Sequence, residues 1–361
     1  MRIGVPREIK VHERRVGLTP ESVGELVSHG HAVRVERGAG AGIGEDDAAY
    51  ERAGAVLVDD AEAVFAGAEL IVKVKEPQPQ EAALLREGQV LFTYLHLAAE
   101  PALARTLRER GVVAIAYETV TGTGGRLPLL APMSEVAGRM AIQVGAHWLE
   151  QPQGGRGVLL GGVPGVPAAD VVILGAGTVG TNALQAAVGL GACVTVLARN
   201  LERLRRIEAD LGNRVATRYA DRASIEACVA AADLLVGAVL EPGAAAPRLV
   251  TRAMVAGMKS GAVIVDVSID QGGCVETSRP TTHAAPTYVA EGVVHYAVTN
   301  MPGAVPRTSA AALNHATLPF VLSLADKGWR RALADDPHLA AGLNLAEGRI
   351  AHPALAASLA G

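Results

Sequence analysis

Three side chains able to do chemistry stand directly after apolar runs. Lys75 closes ELIVKVK, His96 closes VLFTYLH and Asp270 closes AVIVDVSID. A lysine can fix a carboxylate, a histidine can move a proton near neutral pH, and an aspartate can hold a cation or activate water. In a parallel sheet such positions matter, because ligands bind beyond the carboxyl ends of the strands. Each residue also has a plain structural reading. Lys75 fits a strand end in solvent, with Lys73 on the same face by period-two counting. His96 fits a half-buried, hydrogen-bonded histidine equally well. Asp270 precedes Gln271-Gly272-Gly273, where an aspartate commonly starts a turn. The charged run Lys10-Val11-His12-Glu13-Arg14-Arg15 reads as an exposed loop.

A different chemistry, phosphate binding, is written into residues 170–200. The apolar run Val171-Val172-Ile173-Leu174 leads into Gly175-Ala176-Gly177-Thr178-Val179-Gly180, then a small-residue helical pattern over 181–190 and a second apolar run over 193–197. Strand, glycine turn, helix and strand make a dinucleotide-binding unit. Gly175 makes the tight turn, Gly177 lets a pyrophosphate approach the backbone, and Gly180 lets helix and strand pack closely. The phosphates then face the unpaired N–H groups at the helix start.

Composition bounds the rest. The chain has 361 residues, so two domains are expected rather than one core. Half of it is apolar and only 19% is charged, the balance of a globular protein, and with 3% aromatics its cores must be built from Val, Leu, Ile and Ala. The formal net charge of −4 supplies no basic field for nucleic acid. No apolar stretch is long enough to span a membrane, and the opening MRIGVPREIK runs straight into a strand pattern without a signal-peptide core. Three cysteines without a CxxC read as reduced thiols of a cytoplasmic protein. No His/Cys/Asp cluster has metal-ligand spacing, so no metal is expected.

The elements that must position these residues follow a βα rhythm. Strand-like runs cover residues 2–5, 32–36, 55–58, 69–74, 89–95 and 112–116, with helical patterns at 20–29, 46–53 and 100–110. A long helix over 132–150 and a Gly/Pro-rich loop over 151–167 lead into the nucleotide motif. Further strand-like runs follow at 234–239, 262–267 and 293–298, with helical patterns before the first two. Residues 299–306 break the pattern, and a second long helix over 309–327 carries the chain back. The expected architecture is α/β, with two Rossmann-like doubly wound domains of mostly parallel sheets, joined by two long helices, and the active site in the cleft between them. The boundaries read as 1–129 for a catalytic domain, 130–304 for an NAD(P)-binding domain and 305–361 for the return to the first.

The motifs GVPREIK, ERRVGLTP, VKVKEP, LFTYLHLA, AYETV, PMSEVAGRMA, GGVPGV, DVSIDQGGCVET and NMPGAVPRTS occur in that order. Over essentially its whole length the chain resembles the L-alanine dehydrogenase family. The resemblance implies reversible oxidative deamination of L-alanine to pyruvate and ammonium, with hydride passing to NAD(P)⁺. Carried over residue by residue, Arg15 and Lys75 would hold the carboxylate, His96 would exchange a proton with the pyruvate oxygen, and Asp270 would orient water and stabilise the iminium. Ser134, Val239, Leu240, Val267, Ser268, Ile269, Arg279, Val298, Asn300 and Met301 match the family's cofactor-contacting positions. The resemblance also implies a homohexamer.

One position departs from that pattern. The second strand of a dinucleotide unit normally ends in an acid that binds the adenosine ribose and repels a 2′-phosphate. Here it ends in Ala198, followed by Arg199, Asn200 and Arg203, whose forked donors suit a phosphate. NADP(H) acceptance is the expectation; Ala220, where the family commonly has a hydroxyl near the adenine, departs similarly. Two other functions compete: the nucleotide-binding subunit of a proton-translocating NAD(P) transhydrogenase, and a nucleotide sensor without turnover. Both have less use for Arg15, Lys75, His96 and Asp270 together.

Overall fold

Alternating strands and helices form here because short Val/Ile/Leu runs end at glycine, proline or a capping side chain. The computed structural model describes residues 1–239 and 246–360. The chain opens with β1 (Arg2–Val5), α1 (Pro20–Ser28), β2 (Ala32–Glu36), α2 (Asp47–Arg52), β3 (Val56–Val58) and α3 (Ala61–Gly67). It continues through β4 (Leu70–Val72), α4 (Pro79–Ala82), β5 (Val90–Thr93), α5 (Pro101–Glu109), β6 (Val113–Ala116) and the long α6 (Ala131–Trp148). Next come β7 (Asp170–Leu174), α7 (Thr178–Gly189), β8 (Cys193–Ala198), α8 (Leu201–Leu211), β9 (Val215–Tyr219), α9 (Arg222–Ala231) and β10 (Leu234–Gly237). They are followed by α10 (Arg252–Ala256), β11 (Val263–Asp266), β12 (Thr287–Ala290) and β13 (Val293–Tyr296). The chain ends with α11 (Pro306–Lys327), α12 (Trp329–Asp335), α13 (Pro337–Ala340), β14 (Leu343–Ala346), β15 (Arg349–Ile350) and α14 (Pro353–Ala360). Thr19, Asp46, Asp60, Asn200 and Asp221 each cap the helix that follows by accepting an N–H three residues on.

These elements form two compact units, Met1–Met133 with Val305–Gly361, and Ser134–Ala304. The first holds a sheet in the order β15-β14-β6-β5-β4-β1-β2-β3, parallel except for β14 and β15. Its strands bury both faces, which explains their near-continuous apolar runs. Leu70, Val72, Val90, Phe92, Val113 and Ile115 pack on one side, and Ile71, Leu91, Ala114 and Ala116 on the other. The second unit holds β12-β13-β11-β10-β7-β8-β9, antiparallel only between β12 and β13. Both are doubly wound α/β sheets. Each reverses strand order once, between β1 and β4 in the first and between β7 and β10 in the second, and each reversal opens a crevice for a ligand.

Several sequence expectations need correction. The runs expected as strands over 69–74, 89–95 and 293–298 stop at Val72, Thr93 and Tyr296, because the chain turns into site loops while its residues stay apolar. Lys73, the first residue past β4, is fully buried, and Lys75 is half-buried. The helix after the glycine turn begins at Thr178 rather than at 181, since its first turn is the nucleotide turn itself. α9 and α10 occupy the helical patterns expected before the runs at 234 and 262, whereas α8 and β9 were not singled out. β9 is an edge strand of sequence VATRY in which only Val215 is buried.

Candidate active site

In the first unit, the loops after β1 and β4 meet at the strand reversal. Glu8, just after β1, accepts the backbone N–H of Val74 at 2.6 Å. Its other oxygen lies 3.2 Å from the Lys73 ammonium, which also donates to Glu81 at 2.6 Å. All three are buried, and burial pushes the Glu8 carboxyl up. Lys73 stays charged: burial works against its ammonium, but Glu8 and Glu81 outweigh that and hold its pKa above the usual value. This triad fixes the backbone immediately before Lys75, whose carbonyl accepts from the Thr93 hydroxyl at 3.0 Å.

Lys75 stands beside Arg15. Burial lowers the Lys75 ammonium pKa first, and the Arg15 guanidinium lowers it further. Arg15 does not lie on an exposed loop, contrary to the reading of the Lys10–Arg15 run, since its side chain is 1% exposed. Burial is possible because Glu13 grips the guanidinium through both oxygens, at 2.8 and 2.5 Å, and also accepts the Arg15 backbone N–H at 2.9 Å. Arg15 Nη1 meets Met133 Sδ at 2.8 Å.

His96 follows β5 on a left-handed backbone (φ 48°). It is exposed, not half-buried, with 47% of its side chain open. Its ring stacks on Tyr94 at 5.9 Å between centroids, and the Tyr94 hydroxyl donates to the Leu129 carbonyl at 2.5 Å. Glu118, just past β6, accepts the N–H of His96 at 2.6 Å and that of Leu95 at 3.2 Å. The same carboxylate lies 3.9 Å from His96 Nδ1. Arg15 and Lys75 are thus brought together, with the charge of Arg15 also felt at Tyr94, the ring that supports His96.

In the second unit the glycine turn lies at the β7–β10 reversal. Gly175 has φ 109°, and a Cβ there would stand 2.4 Å from the Ala238 carbonyl oxygen. A Cβ on Gly180 would stand 1.9 Å from the Gly175 carbonyl oxygen, so strand and helix approach only without a side chain. Gly177 is the N-cap of α7, and no side chain caps that helix. A Cβ on Gly177 would meet nothing nearer than Arg203 Nη1 at 3.7 Å. The turn is therefore open on the side where phosphates would meet the N–H groups, and it fits a dinucleotide. Thr178 and Val179 form the first turn of α7.

Beyond β11 the chain makes a tight 3₁₀ turn, Val267–Gln271, that carries Asp270 at the surface. Buried Asp266 shapes it by accepting the N–H groups of Ser268, Cys274 and Val275. Ser268 links this turn to β10, donating to the Val239 carbonyl at 2.7 Å and accepting the Val239 N–H at 3.1 Å. Arg279 lies against Tyr288, its guanidinium 4.0 Å from the ring centroid. Asn300 (φ 59°) offers its carbonyl to the His283 ring at 3.1 Å. Ile269, Val298 and Met301 are buried. Ser134 is half-buried in the first turn of α6, and Leu240 lies outside the described residues. Among the described residues no cluster of His, Cys, Asp or Glu could hold a metal ion, and no helix is long and apolar enough to cross a membrane.

With this geometry in place, comparison with known proteins decides the family. Residues 4–137 match the "Alanine dehydrogenase/PNT, N-terminal domain" family and residues 141–353 its C-terminal counterpart. The chain belongs to the alanine dehydrogenase/PNT family. It is similar to the alanine dehydrogenase of Halomonas elongata, 58% identical over 99% of this chain and 96% of that protein. To the Bacillus subtilis alanine dehydrogenase it is 57% identical over 99% and 95%. A solved L-alanine dehydrogenase superposes with a TM-score of 0.97 at 54% identity, covering 100% of this chain and 99% of that one. A transhydrogenase from Sinorhizobium meliloti follows at a TM-score of 0.84 and 26% identity, over 98% of this chain and 100% of that one. As a member of this family the chain is an oxidoreductase.

The sequence assigned no part in the site to Glu8, Glu13, Lys73, Glu81, Glu118 or Asp266. A signal existed for two of them. A lysine between apolar neighbours, as Lys73 is, requires a buried acid, and Glu118 stands just after a strand-like run in AYET.

Proposed function

We propose that this chain is an L-alanine dehydrogenase, interconverting L-alanine with pyruvate and ammonium by hydride exchange with NAD(P)(H). One observation carries the reading furthest: Lys75 and Arg15 are two cations side by side at a strand reversal, close enough that the Arg15 charge depresses the Lys75 ammonium. A small carboxylate suits this place, because Lys75 would gain a counter-charge that offsets the Arg15 field while Glu13 holds the guanidinium in position. Bound there, a 2-oxo acid or an amino acid is fixed by its carboxylate, and its reacting carbon follows.

His96 is assigned the proton exchange at the 2-oxo oxygen, with Glu118 and Tyr94 setting its ring. Asp270 is assigned to orient the attacking water and to stabilise the cationic iminium of the substrate. Residues 175–180 of the glycine turn, with Ser134, Val239, residues 267–269, Arg279, Val298, Asn300 and Met301, would hold the dinucleotide, which supplies the hydride acceptor. The substrate amine must lose its proton before hydride leaves the α-carbon, so deamination quickens as pH rises. The reading carries a homohexameric assembly with it, open to test by analytical ultracentrifugation.

Ammonium-dependent oxidation of reduced cofactor by pyruvate is the deciding assay. Turnover with H96A reduced by at least about a hundredfold, with dinucleotide binding retained in calorimetry, supports the assignment. Turnover of H96A equal to the parent removes His96 from the mechanism, and absence of any pyruvate-dependent oxidation removes the reading.

A further inference from the structure

We propose that the adenosine end of the nucleotide site is built for a 2′-phosphate, which makes NADP(H) the preferred cofactor; this rests on the dinucleotide reading above. The first support is what is missing at the end of β8. Ala198 is buried there and offers no acceptor for a ribose hydroxyl and no charge to repel a phosphate.

The second is what replaces it. Arg199 and Arg203 are both exposed, and among the described residues neither has a carboxylate within ion-pair distance. Their neighbour Arg205, on the same helix, is paired with Glu202 at 3.6 Å. Two uncompensated guanidinium groups therefore flank the end of β8, where an anion would gain two sets of forked donors.

The third is placement. Asn200 caps α8 by accepting the Arg203 N–H at 3.0 Å, which fixes the first turn of that helix beside the glycine loop. Arg203 reaches back until its Nη1 is 3.7 Å from the point where a Cβ on Gly177 would stand. The exposed guanidinium thus borders the nucleotide turn. On the far side, Tyr219 is paired in register with Ala198 and is 50% exposed, presenting a ring beside the same strand end. The nearest acid beyond β9, Asp221, is occupied in capping α9 through the Ser224 N–H at 2.7 Å.

Calorimetric titration of the full-length protein tests this without turnover. The probes are adenosine 2′,5′-bisphosphate and 5′-AMP, followed by NADPH and NADH. The expected result is binding of the bisphosphate about tenfold or more tighter than 5′-AMP at low salt, a gap that narrows as salt screens the arginines. R199A/R203A should erase the gap, and A198D should reverse the NADPH-to-NADH ratio. Equal affinity for the two adenosine probes, or a gap that survives R199A/R203A, overturns the proposal while NADH binding keeps the dinucleotide reading intact. Failure of all four probes to bind overturns both.

Discussion

The Lys73 ammonium and the Glu8 carboxylate form a 3.2 Å ion pair that is wholly buried, although 65 residues separate them. Because Glu8 also accepts the Val74 N–H, the pair connects the end of β1 to the backbone that carries Lys75. Removing Glu8 would leave a buried lysine with one carboxylate in place of two. E8A should therefore cost about 3–5 kcal/mol of stability, and the milder E8Q should raise the KM for pyruvate more than it lowers kcat. Thermal melts and steady-state kinetics check this. A KM for E8Q equal to that of the parent would show that the pair does not position Lys75.

Glu118 accepts the His96 N–H at 2.6 Å while that residue holds a left-handed backbone, a conformation that costs energy for a non-glycine residue. E118Q weakens both this bond and the interaction with the ring. We expect kcat to fall by about tenfold or more with little change in dinucleotide affinity, and E118D to recover part of the loss. Unaltered kcat in E118Q would mean that the ring is oriented by Tyr94 alone.

The ammonium of Lys75 is depressed by burial and then by Arg15, so it deprotonates at lower pH than an ordinary lysine. Carboxylate affinity that depends on that charge is complete below the depressed value and is lost as pH rises through it. The KM for pyruvate should therefore climb on the alkaline side before ordinary lysines titrate. In K75R the guanidinium remains charged, and the climb should move to higher pH or vanish. The same alkaline limb in K75R would assign the ionisation elsewhere. The linkage has a stability counterpart. A cation with a lowered folded pKa binds fewer protons folded than unfolded, so its contribution becomes more favourable as pH rises between the two values.

A methyl group on Gly180 would stand 1.9 Å from the Gly175 carbonyl oxygen, which is backbone and cannot rotate away. G180A should separate α7 from β7, costing about 1–3 kcal/mol and weakening dinucleotide binding much more than carboxylate binding. Calorimetry with NADPH beside a pyruvate titration separates the two effects. Equal weakening of both ligands would point to general unfolding instead of a local opening of the turn.

What the sequence alone determined was local and periodic. The runs that became β1, β2, β7 and β8, the glycine turn, and the helical patterns that became α1 and α2 depend on neighbours within a few positions, so their spacing is visible in one dimension. That Lys75, His96 and Asp270 follow strands was legible for the same reason, although each lies in the loop three or four residues past the strand's last residue. What only the tertiary structure decided was pairing across the sheet order. That Lys73 turns inward to Glu8 and that Arg203 reaches the glycine turn both depend on which segments the sheet order brings together. The edge strand β9 escaped notice because one buried residue in five leaves no apolar period to read. A charge cannot enter a core without its partner, and for Lys73 one partner, Glu8, is chosen by topology rather than by the residues beside it in the chain.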